Sequence, residues 1–371
     1  MNFLISTLSF IVLLAILVGF HEYGHLLIAR SNGVFCEAFS LGMGKVLWEK
    51  SDKYGTKWRI SLLPIGGYVK MFGDADATSV KECIPEGYTE EDMQKMSAFR
   101  KAPWQRLLIA LGGPLANFVL AIVVFFGINA IKGVPEPDTV ISVVSQESVA
   151  YRSGLRDGDK IVSINNNKIN NFIELSNQIK ENVGKDISIE VSRNNTTEQF
   201  NAKLYKEENG EKKAIQQLGI TTTSFKYNKT GILNAFTNAC KLTYNIGAQN
   251  IKAIFKVFTS GKKELGNVGG IISMFKAAST SAERGIVDFL SMLAMLSVVL
   301  GAINLLPIPV LDGGTVLISA IEWIIGKRLS EKVIEVIFTI GLVIVVGLMV
   351  IGLWNDIAHT GLFAKIASLF K

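Results

Sequence analysis

Cysteine is scarce in this chain: Cys36, Cys83 and Cys240 are the only three in 371 residues, far apart and odd in number. That argues against a disulfide framework and against a paired-cysteine zinc site, and leaves free thiols. Histidine is equally rare, so any imidazole chemistry must draw on His21, His25 and His359. Charged residues make up 19% of the chain against 49% hydrophobic, and the mean hydropathy is +0.34. This is membrane-protein composition. The opening residues MNFLISTLSF carry no positive charge, and no small-residue cleavage pattern follows, so no cleavable signal peptide is expected.

Four apolar runs reach the length a bilayer requires, 3–29, 107–131, 286–311 and 333–354. The second and fourth are nearly free of polar residues; the first and third carry theirs at their C-terminal ends. The net charge of +6 follows topology and calls for no nucleic acid. Arg30, Lys45, Lys50, Lys53, Lys57 and Arg59 follow the first run, Arg100, Lys101 and Arg106 precede the second, and Lys327, Arg328 and Lys332 link the last two. The positive-inside rule then places 30–106 and 312–332 in the cytosol and both termini outside.

At the end of the first run stands His21-Glu22-Tyr23-Gly24-His25. His-Glu-x-x-His on a helix sets two imidazoles at i and i+4 on one face, where both reach one zinc ion. Glu22, one step round, can touch a water at that metal. The competing readings of ionisable residues in a span are a packed polar cluster, a proton relay or a transport path. A catalytic zinc usually takes three protein ligands, so a third must come from elsewhere at the same depth. The first and third spans run in the same direction, which makes Asp312, at the end of Asn304-Leu305-Leu306-Pro307-Ile308-Pro309-Val310-Leu311-Asp312-Gly313-Gly314, well placed. Glu322 is a weaker candidate. His359 follows the fourth span and is expected near the opposite face. Pro307 and Pro309 cannot lie in a regular helix. Irregular backbone at that depth suits a water-reached cleft, although a plain helix stop also accounts for it.

HEYGH together with NLLPIPVLDGG resembles the site-2 protease family, the intramembrane zinc metalloproteases, and within it the bacterial RseP-type branch that acts in regulated intramembrane proteolysis. Gly66-Gly67-Tyr68-Val69-Lys70-Met71 resembles the family's GGYVKM segment, a membrane-associated β-structure beside the active site. Gly112-Gly113-Pro114-Leu115-Ala116-Asn117-Phe118 resembles its second-span GGPxxN stretch. The resemblance implies Zn2+ held by His21, His25 and Asp312, with Glu22 as catalytic base, and a part for Asn304 in substrate handling. Pro307, Pro309, Gly66, Gly67 and Tyr68 are the further candidates for contact with substrate. A substrate helix must be unwound before cleavage. Residues 58–71 are a candidate edge to capture the opened strand; an ordinary amphipathic hairpin on the lipid surface explains them equally well. For Gly112, Gly113, Ala116 and Ala121 the reading is close helix packing.

Residues 138–225 change character, with short β-rich pieces around Ser148 to Asn165. That stretch resembles the core of a bacterial-protease PDZ domain, with Gly154 and Gly158 at turns, Ile161 and Ile164 entering the sheet, and 170–180 as the helix beside a groove. The groove could take a peptide or act as a size filter. Between 230 and 285 an interfacial amphipathic helix, with Ile251, Ile254, Phe255 and Phe258 at helical spacing, and a linker are expected.

The expected architecture is a polytopic α-helical membrane protein. It has a first span with its motif (1–31), a cytosolic loop with a membrane-associated β-hairpin (32–106), spans at 107–131, 286–311 and 333–354, and an inserted extracytoplasmic PDZ-like α+β domain. Its expected activity is zinc-dependent cleavage of single-span membrane proteins, anti-sigma-factor-like substrates or remnant signal peptides, in a bacterial inner membrane. The site would lie toward the cytosol. The competing classes are a non-catalytic membrane PDZ scaffold, which needs neither Glu22 nor aligned ligands, and a metal transporter, which would want polar residues in the second and fourth spans.

Overall fold

A computed structural model of the chain describes residues 3–73, 88–208, 211–215, 217–222, 224–260 and 269–359. Cys83 and residues 261–268 thus fall outside the described residues. The helices are α1 (Phe3–Ser31), α2 (Glu90–Met96), α3 (Pro103–Lys132), α4 (Val149–Arg152), α5 (Phe172–Glu181), α6 (Ile232–Ser260), α7 (Ile271–Arg284), α8 (Ile286–Asn304), α9 (Asp312–Ile325) and α10 (Glu331–His359). Two compact units divide the chain, one of residues 1–127 with 236–371, the other of residues 128–235.

In the first unit, α1, α3, α8 and α10 are long and apolar enough to cross a membrane, and they are the four runs expected. Their ends differ in one respect that matters. The third expected span, 286–311, is helical only to Asn304. Pro307 has no N–H for the next turn and Pro309 repeats the block, so 305–311 turns irregularly before α9 begins at Asp312. At 1.5 Å per residue the 19 residues of α8 still reach about 28 Å, close to the hydrocarbon thickness. In α10, Val336, Ile340, Val343, Val346, Met349 and Val350 are exposed, the face a bilayer would cover. Helix α6 is not among the four. The expected linker up to 285 holds a second helix, α7, whose Ala278 packs with Leu13 and Leu17 of α1 and Leu293 of α8.

Strands β1 (Cys36–Ser51) and β2 (Lys57–Met71) pair antiparallel in a sheet that doubles back on itself. Residues 38–41 of β1 face Lys57–Ile60 on one side and Gly67–Lys70 on the other, while Trp48–Ser51 close over Lys57–Ile60. The expected edge at 58–71 therefore narrows. Lys57–Ile60 is flanked on both sides, whereas Gly67–Val69 has a strand on one side alone among the described residues. Phe39, Val69 and Trp58 pack this sheet onto Leu26 and Ala29 of α1. At the β1–β2 turn, Asp52 accepts from Arg30, Trp58 Nε1 and the backbone of Tyr54 and Thr56.

The second unit contains a four-stranded sheet, in the order β4 (Asn167–Lys168), β3 (Lys160–Ile164), β5 (Asp186–Arg193), β6 (Thr196–Lys203). Asn165-Asn166 and Asn194-Asn195 carry φ of 47°, 66°, 50° and 64°. Paired positive φ values of this kind close two-residue hairpins with the strands' own twist, and asparagine tolerates them. Ile161 and Ile164 are fully buried with Ile187, Ile189, Val191 and Leu175, and an irregularity between Ile161 and Ser163 lets two residues three apart share one core. Gly154 sits in a turn at φ 95°. Its carbonyl accepts from Arg193, whose guanidinium also pairs with the buried Asp159. The helix expected over 170–180 is α5, capped by the Asn171 side chain.

Candidate metal centre

Two helices make the first half of the site by coming unusually close. A Cβ at Gly24 would lie 2.1 Å from the Gly112 carbonyl oxygen, and one at Gly112 would lie 2.6 Å from that of Gly24. Backbone thus rests on backbone, an approach that only small residues permit. The contact brings α3 across the imidazoles of α1. His25 Nδ1 lies 2.8 Å from the Ile109 carbonyl oxygen. His21 Nδ1 lies 3.2 Å from the Asn117 amide, whose own backbone carbonyl accepts from Ser297 Oγ. Each ring is held at one nitrogen and turns the other inward, where the two Nε2 atoms stand 3.3 Å apart.

Asp312, the first residue of α9, completes the group. Its Oδ2 is 3.1 Å from His21 Nε2 and its Oδ1 is 3.3 Å from His25 Nε2. One ligand atom from each of the three side chains lies within 4.8 Å of the others. The irregular segment before α9 aims the carboxylate. Gly313 and Gly314 pack onto the carbonyls of Leu306 and Ile308, and Gly341 of α10 receives the Pro309 carbonyl, which a Cβ there would meet at 2.0 Å. Val310 takes φ 89° to make the bend, a conformation unfavourable for a β-branched side chain.

The donor set fits a dication. Asp312 Oδ2 is buried and, despite its short distance to His21, lies in no hydrogen bond among the described residues. Two imidazole nitrogens and a carboxylate oxygen facing one point is the arrangement of ligands around an ion. The space is kept open by Gly113: a Cβ there would stand 2.3 Å from His25 Nε2 and 2.8 Å from His21 Nε2. Nitrogen and oxygen ligands in this combination suit zinc, with a position left for water.

Of the other residues singled out, Asn304 Nδ2 reaches His21 Nε2 at 3.3 Å. Glu22 lies beside Gly67, where a Cβ would approach its Cγ to 3.3 Å, and the Val69 amide bonds to its carboxylate. Tyr68 points to the other face of the strand, its hydroxyl 3.5 Å from Arg59. Gly66, at φ 78°, turns the chain against Met43. Pro307 is exposed and Pro309 packs on Gly314 and Gly341. Glu322 is not a ligand in this geometry: it is buried, pairs with Arg106 and accepts from the Leu329 amide. His359 closes α10, about 27 Å along the axis from Gly341 at 1.5 Å per residue.

Sequence reasoning missed three contributions. Gly113 was expected to serve helix packing alone, but Gly112 does that and Gly113 clears the ring nitrogens. The Ile109 carbonyl has no side-chain signature at all. Asn117 had one, an amide midway along a largely apolar span, a placement that is costly unless it has a partner.

The chain matches the model of peptidase family M50 over residues 9–348. A Rickettsia conorii protein named "putative zinc metalloprotease" is 34% identical over 365 residues, covering 96% of this chain and 99% of that one. An Agrobacterium fabrum protein of the same designation is 33% identical, with 94% of each chain covered. The "regulator of sigma E protease" of Haemophilus influenzae is 30% identical over 456 positions, covering 96% of this chain and 99% of that one, so it carries residues without a counterpart here. Taken with the geometry around His21, these matches establish that the chain belongs to peptidase family M50.

Proposed function

We propose that the chain is a zinc-dependent endopeptidase that hydrolyses peptide bonds in the membrane-spanning segments of single-span proteins. The observation that carries this is the meeting of His21, His25 and Asp312, from helices almost three hundred residues apart in sequence, around one point beside Glu22. His21, His25 and Asp312 would hold the ion. Zinc, when bound, supplies Lewis-acid chemistry, acidifying a water and polarising a peptide carbonyl. Glu22 would take a proton from the attacking water and return it to the departing amine nitrogen, acting as general base and then general acid. Asn304, beside His21, offers its amide N–H to the carbonyl under attack.

Gly67–Val69 is the strand edge that receives an unwound substrate, pairing main chain to main chain next to Glu22. Gly67 lets the strand lie close to α1, and Gly66, Tyr68, Pro307 and Pro309 shape the approach around it. The lysine and arginine bias puts the site toward the cytosol of a bacterial inner membrane, with the second unit on the outer side. Its sheet, its Gly154 turn and α5 support a PDZ-like reading, in which the unit binds a peptide or screens substrates by size. The substrates proposed for it are anti-sigma-factor-like proteins or remnant signal peptides.

The test is to co-express wild type or Glu22→Gln with a tagged set of single-span proteins. The variant is expected to retain zinc and accumulate uncut substrates. Equal cutting by both proteins would refute the proposal.

A further inference from the structure

Resting on that reading, we infer that Asn117 is the positioning residue for His21, fixing which of its ring nitrogens faces the zinc. A neutral imidazole that offers Nε2 to a metal carries its proton on Nδ1, and that N–H needs an acceptor. For His25 the acceptor is the Ile109 carbonyl, 2.8 Å away. The group that meets His21 Nδ1 is the side-chain amide of Asn117, 3.2 Å away on α3.

Asn117 is fully buried. As placed, its Nδ2 faces the ring, and its Oδ1 is buried without a hydrogen-bond partner among the described residues. The two ends of an amide exchange by a half-turn about its last torsion and are nearly indistinguishable in shape. Turning it over gives the oxygen the Nδ1–H and fixes His21 in the tautomer a metal requires. Neither a leucine of similar volume nor an alanine can do this; an aspartate can. The backbone holds the amide in reach independently: α3 rests on α1 through Gly112 and Gly24, and the Asn117 carbonyl accepts from Ser297 at 2.8 Å.

The experiment is a chelator competition on the purified full-length protein in detergent. It compares wild type with Asn117→Leu, Asn117→Ala, Asn117→Asp, Ser297→Ala and His21→Ala. Loss of a partner that orients a ligand histidine weakens metal binding by roughly 10–100-fold. That loss is expected for the Leu and Ala variants, while Asn117→Asp and Ser297→Ala stay near wild type. If Asn117→Leu fails to fold, as judged by gel filtration and melting, Asn117→Ala decides. Wild-type zinc affinity in the Ala variant, or equal weakening in the Ala and Asp variants, would overturn the inference. Failure of the underlying reading looks different: wild type would hold no zinc, or His21→Ala would hold it as tightly.

Discussion

Adding one methyl group at residue 113 is the sharpest perturbation the site allows. In Gly113→Ala the new carbon would sit 2.3 Å from His25 Nε2, 2.6 Å from His21 Cε1 and 2.8 Å from His21 Nε2. Carbon packs at about 3.5 Å or more, so His25 Nε2 must withdraw by roughly 1 Å or α3 must retreat. Ring withdrawal is opposed by the Ile109 carbonyl and the Asn117 amide at the far nitrogens. Helix retreat breaks the backbone contact between Gly24 and Gly112, and overpacking of this kind costs about 1–3 kcal/mol. Metal–ligand distances tolerate only about 0.2 Å, so a shift near 1 Å is far outside the range a zinc site accepts. Zinc affinity should fall at least 10–100-fold by the standard of lost ligand orientation. Peptide cleavage should fall about 100-fold, since 1 Å misplacement of reacting groups carries that penalty. The assay pairs chelator competition with cleavage of a single-span substrate in proteoliposomes. Gly127→Ala is the control: it lies in the same helix, and nothing stands within 4 Å of its added carbon. Gly113→Ala with wild-type zinc affinity and cleavage would refute the steric reasoning and the placement of α3 over the imidazoles.

Two further outcomes test the supports of the site. Glu322→Ala should lower the midpoint of thermal unfolding, because it leaves Arg106 without its buried partner, a loss of about 3–5 kcal/mol where such a pair is fully enclosed. The double variant Arg106→Met, Glu322→Leu should recover much of it, and equal destabilisation by single and double changes would contradict that account. At the β1–β2 turn, burial raises the Asp52 pKa, but the hydrogen bonds from Trp58, Arg30 and the Tyr54 and Thr56 amides outweigh it and bring it down to about 2. A carboxyl depressed from its ordinary value of 3.8 stabilises the fold above that value and loses the contribution as pH falls toward 2. Indole emission should therefore change between about pH 4 and 2 in wild type, and Asp52→Asn should flatten that change; an unaltered titration would count against the network.

Much of the site was readable in the chain before any coordinates, because its signals are local. The i, i+4 histidines, the four apolar runs and the two prolines that stop α8 each act within a few residues, and each appears where periodicity and backbone chemistry put it. Asp312 required one long-range step, the shared direction of two spans. What escaped was contact between elements. Nothing in Ile109 announces that its carbonyl meets a histidine. Gly113 and Gly112 look alike in sequence, yet face different neighbours. The edge at 58–71 was too broad because strand alternation says which residues are extended, not which have a second strand beside them; β1 folding back over Lys57–Ile60 covers that stretch. The helix α7 was missed because its small and polar residues give no strong apolar run, and Leu13, Leu17 and Leu293 provide the surface it needs.

The division of the ligands between an early helix pair and a late one has a consequence for biosynthesis. Both imidazoles and the α3 groups that steady them are made by Lys132, whereas the carboxylate is roughly 180 residues further on, some 10–40 s of translation at about 5–20 residues per second. On the proposed ligand set, a nascent chain that has not reached Asp312 therefore holds two of the three groups and cannot yet close the site.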